Sequence, residues 1–184
     1  MITDKYAALL KENHALADPA KPWGRSGAKN FGDRVVTLLN KRPQIKTVLD
    51  FGAGQLTMQK YVQDRVDGLV WTNYDPGIPG IDELPTGYFD LIISSDVMEH
   101  VEPDHVGHVI NWLHAHSKLF QYHLIACDPC KSVLPDGRNA HLSVHEPSWW
   151  HRQFLGQGTI VYFSDEKVMK RSIQRSYCCL LIDK

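Results

Sequence analysis

Three side chains able to do acid–base or metal chemistry fall within five positions: Asp96, Glu99 and His100. They directly follow the apolar run Phe89-Asp90-Leu91-Ile92-Ile93-Ser94-Ser95, at offsets of zero, three and four. A helical turn starting at Asp96 would put all three on one face. Two carboxylates and an imidazole on one face make a hard-cation set. Mg²⁺ or a similar divalent ion held there would orient two acceptor oxygens and lower a hydroxyl's pKa. Without an ion, His100 serves as a general base. A purely structural reading makes Asp96 a cap, Glu99 a solvated carboxylate and His100 a packed ring.

A second group surrounds Gly52-Ala53-Gly54, which follows Asp50 at the end of the β-rich run Thr47-Val48-Leu49-Asp50-Phe51. Glycines there let the backbone turn sharply and approach a ligand that a Cβ would block, although a plain tight turn uses the same residues. Thr57 stands where a dinucleotide-binding turn prefers its third glycine. Asp75 ends the next strand candidate, residues 69–74, where a carboxylate can accept from two ribose hydroxyls; its competing role is an Asp-Pro turn. A rival constellation, Cys127-x-x-Cys130 with His141-x-x-x-His145, approximates zinc-ligand spacing. It lacks the paired apolar positions of a zinc finger, and Cys127 falls at a strand end.

The elements that position these residues alternate. A helix is expected from Thr3 to Ala17, capped by Thr3, with Tyr6, Leu9, Leu10 and Leu16 at helical spacing. Pro22-Trp23-Gly24-Arg25-Ser26-Gly27 reads as a loop, and Phe31, Val35, Leu38 and Leu39 mark a second helix ending before Pro43. Helices are expected at residues 55–64, 104–120 (Val106, Val109, Ile110, Leu113 and Leu119 inward) and 148–155. Strands are expected at 47–51, 69–74, 89–95, 122–126, 159–163 and 177–182. Strands alternating with helices imply a mainly parallel α/β sheet whose ligands sit at the carboxyl ends of the strands.

Composition sets the outer bounds. The chain has 184 residues, 43% of them hydrophobic and 22% charged, which suits one globular domain spanning 1–184, with residues 1–45 as a helical cap. A formal net charge of −1 supplies no general field for nucleic acid, yet leaves a local basic patch open. No apolar run approaches the ~20 residues of a membrane span, and a cytoplasmic location is the expectation. Four cysteines, two of them adjacent, read as reduced thiols.

Taken in order, Val48-Leu49-Asp50-Phe51-Gly52-Ala53-Gly54, Tyr74-Asp75-Pro76 and residues 89–101 resemble the successive motifs of class I S-adenosylmethionine-dependent methyltransferases, over roughly residues 30–155. The resemblance implies a Rossmann-like three-layer α/β sandwich, its mostly parallel sheet closed by an antiparallel C-terminal hairpin. The implied cofactor is S-adenosyl-L-methionine. Carried over, Asp50, Gly52 and Gly54 hold its methionine part, Asp75 its ribose, and Asp96 contributes at the same edge. The adenine contact falls to Asp82 or Glu83. Two departures stand out: Leu56 replaces a customary glycine, and residues 76–88 are too few for a helix plus a third strand, which must be shortened or missing.

The Asp96-x-x-Glu99-His100 spacing further resembles metal-assisted O-methyltransferases that act on RNA-terminal riboses or catechol-like quinone precursors. That likeness implies a later histidine in the catalytic and metal set, His141 first and His145 second, beside Asp96, Glu99 and His100. Residues 135–142 with Trp149-Trp150 are similar to methyltransferase-like proteins of phages and bacteria. Arg138 there is placed to clamp an anionic acceptor, and the tryptophans to pack at core and rim. Trp23 and Gly24 are placed either to cover the cofactor or to anchor a turn. The expected activity is methyl transfer to a hydroxyl of a small molecule, sugar or nucleotide. The amino-methylating Asn/Asp-Pro-Pro-aromatic motif is missing after the fourth strand. A non-catalytic methyltransferase-like binding subunit is the alternative.

Overall fold

In the computed structural model, which describes residues 1–20, 23–24, 27–170 and 173–184, these periodicities become five α-helices and six strands among the described residues. Helix α1 (Asp4–Leu16) begins at Thr3, whose hydroxyl accepts the Tyr6 N–H at 3.2 Å, a cap that contributes about 1 kcal/mol. Helix α2 (Gly27–Lys41) follows. In the expected loop between them, Pro22, Arg25 and Ser26 lie outside the described residues, whereas Trp23 and Gly24 form a turn. Then come β1 (Thr47–Phe51), α3 (Thr57–Gln63), β2 (Val70–Tyr74), β3 (Phe89–Ser95), α4 (Val106–His116), β4 (Ser117–Ala126), α5 (Pro147–Phe154), β5 (Thr159–Lys170) and β6 (Ile173–Asp183).

The sheet order is β2-β1-β3-β4-β6-β5. The first four strands run parallel to their neighbours, and β6 is antiparallel to both β4 and β5. Successive side chains of a strand point to opposite faces, which builds two cores. Leu49, Ile92, Ile125 and Cys178 pack under α4 and α5 with Trp150 and Phe154. Val48, Leu91, Ile93 and Cys179 pack under α2 and α3 with Phe31, Val35 and Val62. This is the expected Rossmann-like three-layer sandwich with its antiparallel C-terminal hairpin, and all four cysteines are free thiols. Residues 76–88 form neither helix nor strand, so β2 is the sheet edge.

Three boundaries differ from the sequence reading. The helix expected to reach residue 120 stops at His116, and Leu119 belongs to β4, which pairs with β3 from Ser117 onward. The Lys184 ammonium holds that junction by donating to the carbonyls of His114 and Ser117. The last two strands are about twice their expected length, because β5 and β6 continue to pair with each other past the end of β4. Within residues 1–45, α2 is a layer of the sandwich, whereas α1 packs through Tyr6 and Leu10 on Leu134 and Ala140.

Leu56 opens α3 at φ 56°, with no side-chain capping bond. Left-handed backbone costs an L-residue roughly 1–2 kcal/mol, a physical reason for the glycine that the resemblance leads one to expect there. Leu56→Gly is expected to stabilise the fold by about 1 kcal/mol, seen as a higher urea midpoint. An unchanged or lower midpoint would place the strain elsewhere.

Candidate active site

The parallel strands β1, β2, β3 and β4 all end on one edge, and a cavity of about 400 Å³ lies against it. Its floor comes from residues just past the strand ends: Gly52, Asp75, Asp96 and Asp128. Its roof is α1 together with the short segment before it, through Ile2, Tyr6, Leu10 and His14, a stripe spaced four apart. Two contacts dock α1 onto the segment after β3. The Glu102 carboxylate accepts from the Thr3 N–H and hydroxyl at 2.9–3.0 Å, and the Tyr6 hydroxyl donates to the His100 carbonyl at 2.7 Å.

The glycine turn has no room for side chains. Gly52 takes φ 80°, and a Cβ there would lie 2.4 Å from Val97; at Gly54, φ 50°, it would lie 2.2 Å from the Gly24 carbonyl oxygen. A smaller cavity of about 40 Å³ adjoins this turn, lined by Asp50, Gly52, Ser95 and Asp96. The Asp50 Oδ2 and the Ser95 hydroxyl are buried with no hydrogen-bond partner among the described residues. Burial, reinforced by the nearby Asp75, pushes the Asp50 carboxyl up to about 7. An ammonium placed opposite it would counter that shift and favour the ionised form.

Asp75 is held where the sequence places it. Its Oδ2 accepts the Gly54 N–H and its Oδ1 the Gly77 N–H, each at 2.9 Å, and each oxygen keeps a further lone pair. His14 approaches from above, its Nε2 3.9 Å from Asp75 Oδ1, and its ring packs beside Trp23. Trp23 in turn meets His100 edge-on at 5.2 Å and lines the cavity.

At the other end Glu99, His100 and His141 converge, each offering one ligand atom within 4.8 Å of the others. His100 Nδ1 meets the Ala140 carbonyl at 2.7 Å, and His141 Nδ1 meets the Asp128 carbonyl at 2.6 Å. Carbonyls only accept, so both Nδ1 atoms carry the proton and each neutral ring has its lone pair at Nε2. His141 Nε2 lies 3.9 Å from Glu99 Oε1. Glu99 is fully buried; Oε1 accepts the Ala126 N–H, while Oε2 has no partner among the described residues.

Burial, with the neighbouring Asp96, raises the Glu99 carboxyl to about 8, and burial, with His141, lowers the His100 imidazole to about 3. For His141, burial acts downward but is outweighed by hydrogen bonding to Cys130 and by Glu99, and the net shift is upward. Asn139 fixes the segment that carries His141: its side-chain oxygen accepts from the His141 N–H and the Cys130 N–H, and its amide donates to the Cys130 carbonyl.

Asp96 stands outside this triad. It takes φ 56°, and the 3-10 turn that carries Glu99 and His100 starts only at Met98, so the helical offset counted from Asp96 does not apply. Asp96 lines both cavities instead. Asp82 and Glu83 do not reach the large cavity; the Asp82 carboxylate accepts from Lys11 and the Gly80 N–H at the surface. Arg138 is paired with Asp136 and is not among the lining residues. His145 stacks on Trp149 with ring centroids 3.6 Å apart, while Trp150 is core. The zinc constellation is not assembled: among the described residues only Glu99, His100 and His141 come within joint reach of an ion.

His14, Tyr6, Ser95 and Asn139 were not singled out for the site by the sequence. Ile2, Tyr6, Leu10 and His14 do announce themselves by their four-residue spacing; the others show no signal until the fold brings them to the site.

A glycine turn after the first parallel strand, an acid closing the second, and a crevice across their ends define the S-adenosylmethionine-dependent methyltransferase class of Rossmann-like folds. Residues 24–172 match the methyltransferase domain family, and the chain belongs to it. Nothing matches among curated protein sequences. The fold is similar to that of 1,6-didemethyltoxoflavin-N1-methyltransferase from Burkholderia thailandensis with bound 1,6-didemethyltoxoflavin and S-adenosylhomocysteine (17% identity, 98% of this chain and 89% of that one, TM-score 0.64). It is also similar to magnesium protoporphyrin IX methyltransferase from Synechocystis with bound S-adenosylmethionine (13%, 94% and 89%, TM-score 0.58). A third likeness is to an O-methyltransferase family protein from Burkholderia thailandensis (14%, 85%, TM-score 0.58), of which the chain spans 56% of the length. No helix among the described residues is long and apolar enough to cross a membrane.

Proposed function

We propose that this domain, spanning residues 1–184, transfers the methyl group of S-adenosylmethionine to a hydroxyl oxygen of a small-molecule acceptor. The observation that carries the reading is the fixed pair of imidazole Nε2 lone pairs at one end of the cavity whose other end is Asp75. The fold neighbours bound to, or named for, 1,6-didemethyltoxoflavin and magnesium protoporphyrin IX support a small acceptor. In this reading Asp75 takes the ribose hydroxyls, and Asp50 and Ser95 take the methionine ammonium. Gly52 and Gly54 let the backbone approach.

The acceptor oxygen attacks the methyl carbon in line with sulfur. The C–S bond breaks, its electron pair stays on sulfur, and S-adenosylhomocysteine leaves as a thioether. The hydroxyl proton passes to Nε2 of His141. The sulfonium is already an activated donor, so alignment and proton removal are the tasks left to the protein. His141 is the better base: its affinity for a proton is raised, whereas burial makes His100 a poor acceptor. Tritium transfer from labelled S-adenosylmethionine to a panel of catechols, hydroxylated rings, sugars and nucleosides tests this. An O-methyl product is the expected result; label found solely on nitrogen or sulfur would overturn the oxygen assignment.

Asp50 gives a pH dependence. In the free protein its carboxyl is protonated below about 7, and the ligand's ammonium selects the ionised form. Affinity for S-adenosylhomocysteine is therefore expected to fall by about tenfold per pH unit below 7. Asp50→Asn should give a flatter profile. Calorimetric titration between pH 5.5 and 8 reads the slope, and a wild-type profile as flat as the variant's would remove Asp50 from the site.

A second reading has a specific observation in its favour. Three lone-pair-bearing atoms of Glu99, His100 and His141 face one another, and one Glu99 oxygen is unpartnered; a positive charge between them would relieve both. Two imidazoles and a carboxylate suit a divalent cation, with nitrogen ligands favouring a transition ion over Mg²⁺. When bound, such an ion would lower the pKa of an acceptor hydroxyl. Titrating metal-free protein with Mn²⁺ and following the free-ion EPR signal tests this. One bound ion per chain, lost in His141→Ala, is expected; no binding up to millimolar Mn²⁺ would rule that ion out.

A further inference from the structure

The imidazole of His14 is nine-tenths buried, its side chain 9% exposed, in the wall of the large cavity. Its Nδ1 has no hydrogen-bond partner among the described residues. Leaving a buried polar atom unpaired is costly, and an apolar side chain would anchor α1 without that cost. The ring also sits in a slot shaped for it. A Cβ at Gly77 would lie 2.6 Å from His14 Cδ2, a Cβ at Gly24 would lie 3.5 Å from Cε1, and Trp23 packs on the ring at 4.9 Å.

The distance to Asp75 is informative. At 3.9 Å, Nε2 and Oδ1 are too far apart for a direct hydrogen bond. A hydroxyl between them could bridge both, accepting from the imidazole N–H and donating to the carboxylate. Burial holds the ring below its ordinary pKa against the pull of Asp75, which favours the neutral form. The two Asp75 oxygens already accept one backbone N–H each, which leaves room for this second contact.

We propose that His14 binds the ribose of the adenosyl cofactor together with Asp75, so that α1 supplies part of the cofactor site from above. The inference rests on the cofactor placement given under the proposed function. It adds a recognition residue outside the glycine turn and the strand ends. It also gives α1 a role at both ends of the cavity: His14 at the ribose, Tyr6 on the His100 carbonyl.

Calorimetric titration of wild type, His14→Ala and His14→Gln with S-adenosylhomocysteine and with its 2′-deoxy and 3′-deoxy counterparts tests it. Wild type is expected to prefer the full ribose. His14→Ala should weaken S-adenosylhomocysteine by about tenfold, the size of one lost hydrogen bond. Against one of the deoxy compounds it should change affinity little, since that ligand lacks the hydroxyl His14 would hold. His14→Gln, which keeps a donor and an acceptor, should recover part of the loss and guards against a misfolded alanine variant. Equal weakening of all three ligands would reduce His14 to a packing role, and no change in any of them would exclude it from the site. If wild type fails to bind S-adenosylhomocysteine at all, the cofactor placement itself fails and this inference with it.

Discussion

Asp75→Ala is expected to weaken S-adenosylhomocysteine binding by about 100-fold, with the chain still folded. A ribose diol would donate two hydrogen bonds to this carboxylate, and each bond to a charged group contributes about 1.5–3 kcal/mol. Losing both, with partial compensation by water, corresponds to roughly two decades in Kd. The variant has a second cost. The Gly54 and Gly77 N–H groups lose the acceptor they now share, so a melting temperature a few degrees lower is also expected. Calorimetry and thermal unfolding on the same samples separate the two effects. Unchanged affinity would remove Asp75 from the cofactor site, and the ribose assignment would go with it.

His141→Ala is expected to lower the rate of methyl transfer by about 10²–10⁴-fold, the range of a positioned general base. Binding of S-adenosylhomocysteine should stay within about threefold of wild type, since the ring acts at the opposite end of the cavity from Asp75. The segment that carries His141 is held independently of the imidazole by Asn139 and by the Ser143 hydroxyl on the Val101 carbonyl. The loop should therefore keep its course. Single-turnover rates with saturating acceptor make the measurement, and a variant as fast as wild type would show that His141 takes no proton.

The sandwich and half of the site were legible because they follow from local pattern. The apolar run of β3, the glycine turn after β1 and the acid closing β2 each put a backbone requirement into the sequence, and register then aligned them on one edge. The α4–β4 junction was not legible, since no proline or glycine separates Leu113 from Phe120 and only pairing with β3 pulls the end of that stretch into a strand. Asp96 was grouped with Glu99 and His100 by counting along an α-helix that does not start there; its left-handed backbone delays the turn by two residues. His141 could be named only through resemblance, because the contact with Glu99 joins segments more than forty positions apart. His14 was not legible for a different reason. Its stripe of Ile2, Tyr6 and Leu10 reads as an ordinary buried helix face, and only the fold shows that the face covers a cavity.

Crystals grown with millimolar S-adenosylhomocysteine would show whether the crevice under α1 holds the adenosyl ligand. One ligand per chain is expected under α1, its ribose against Asp75, its amino group beside Asp50 and Ser95, and its sulfur turned toward the His141 end. A well-ordered chain whose crevice stays empty under those conditions, or whose ligand is bound elsewhere, would contradict that placement.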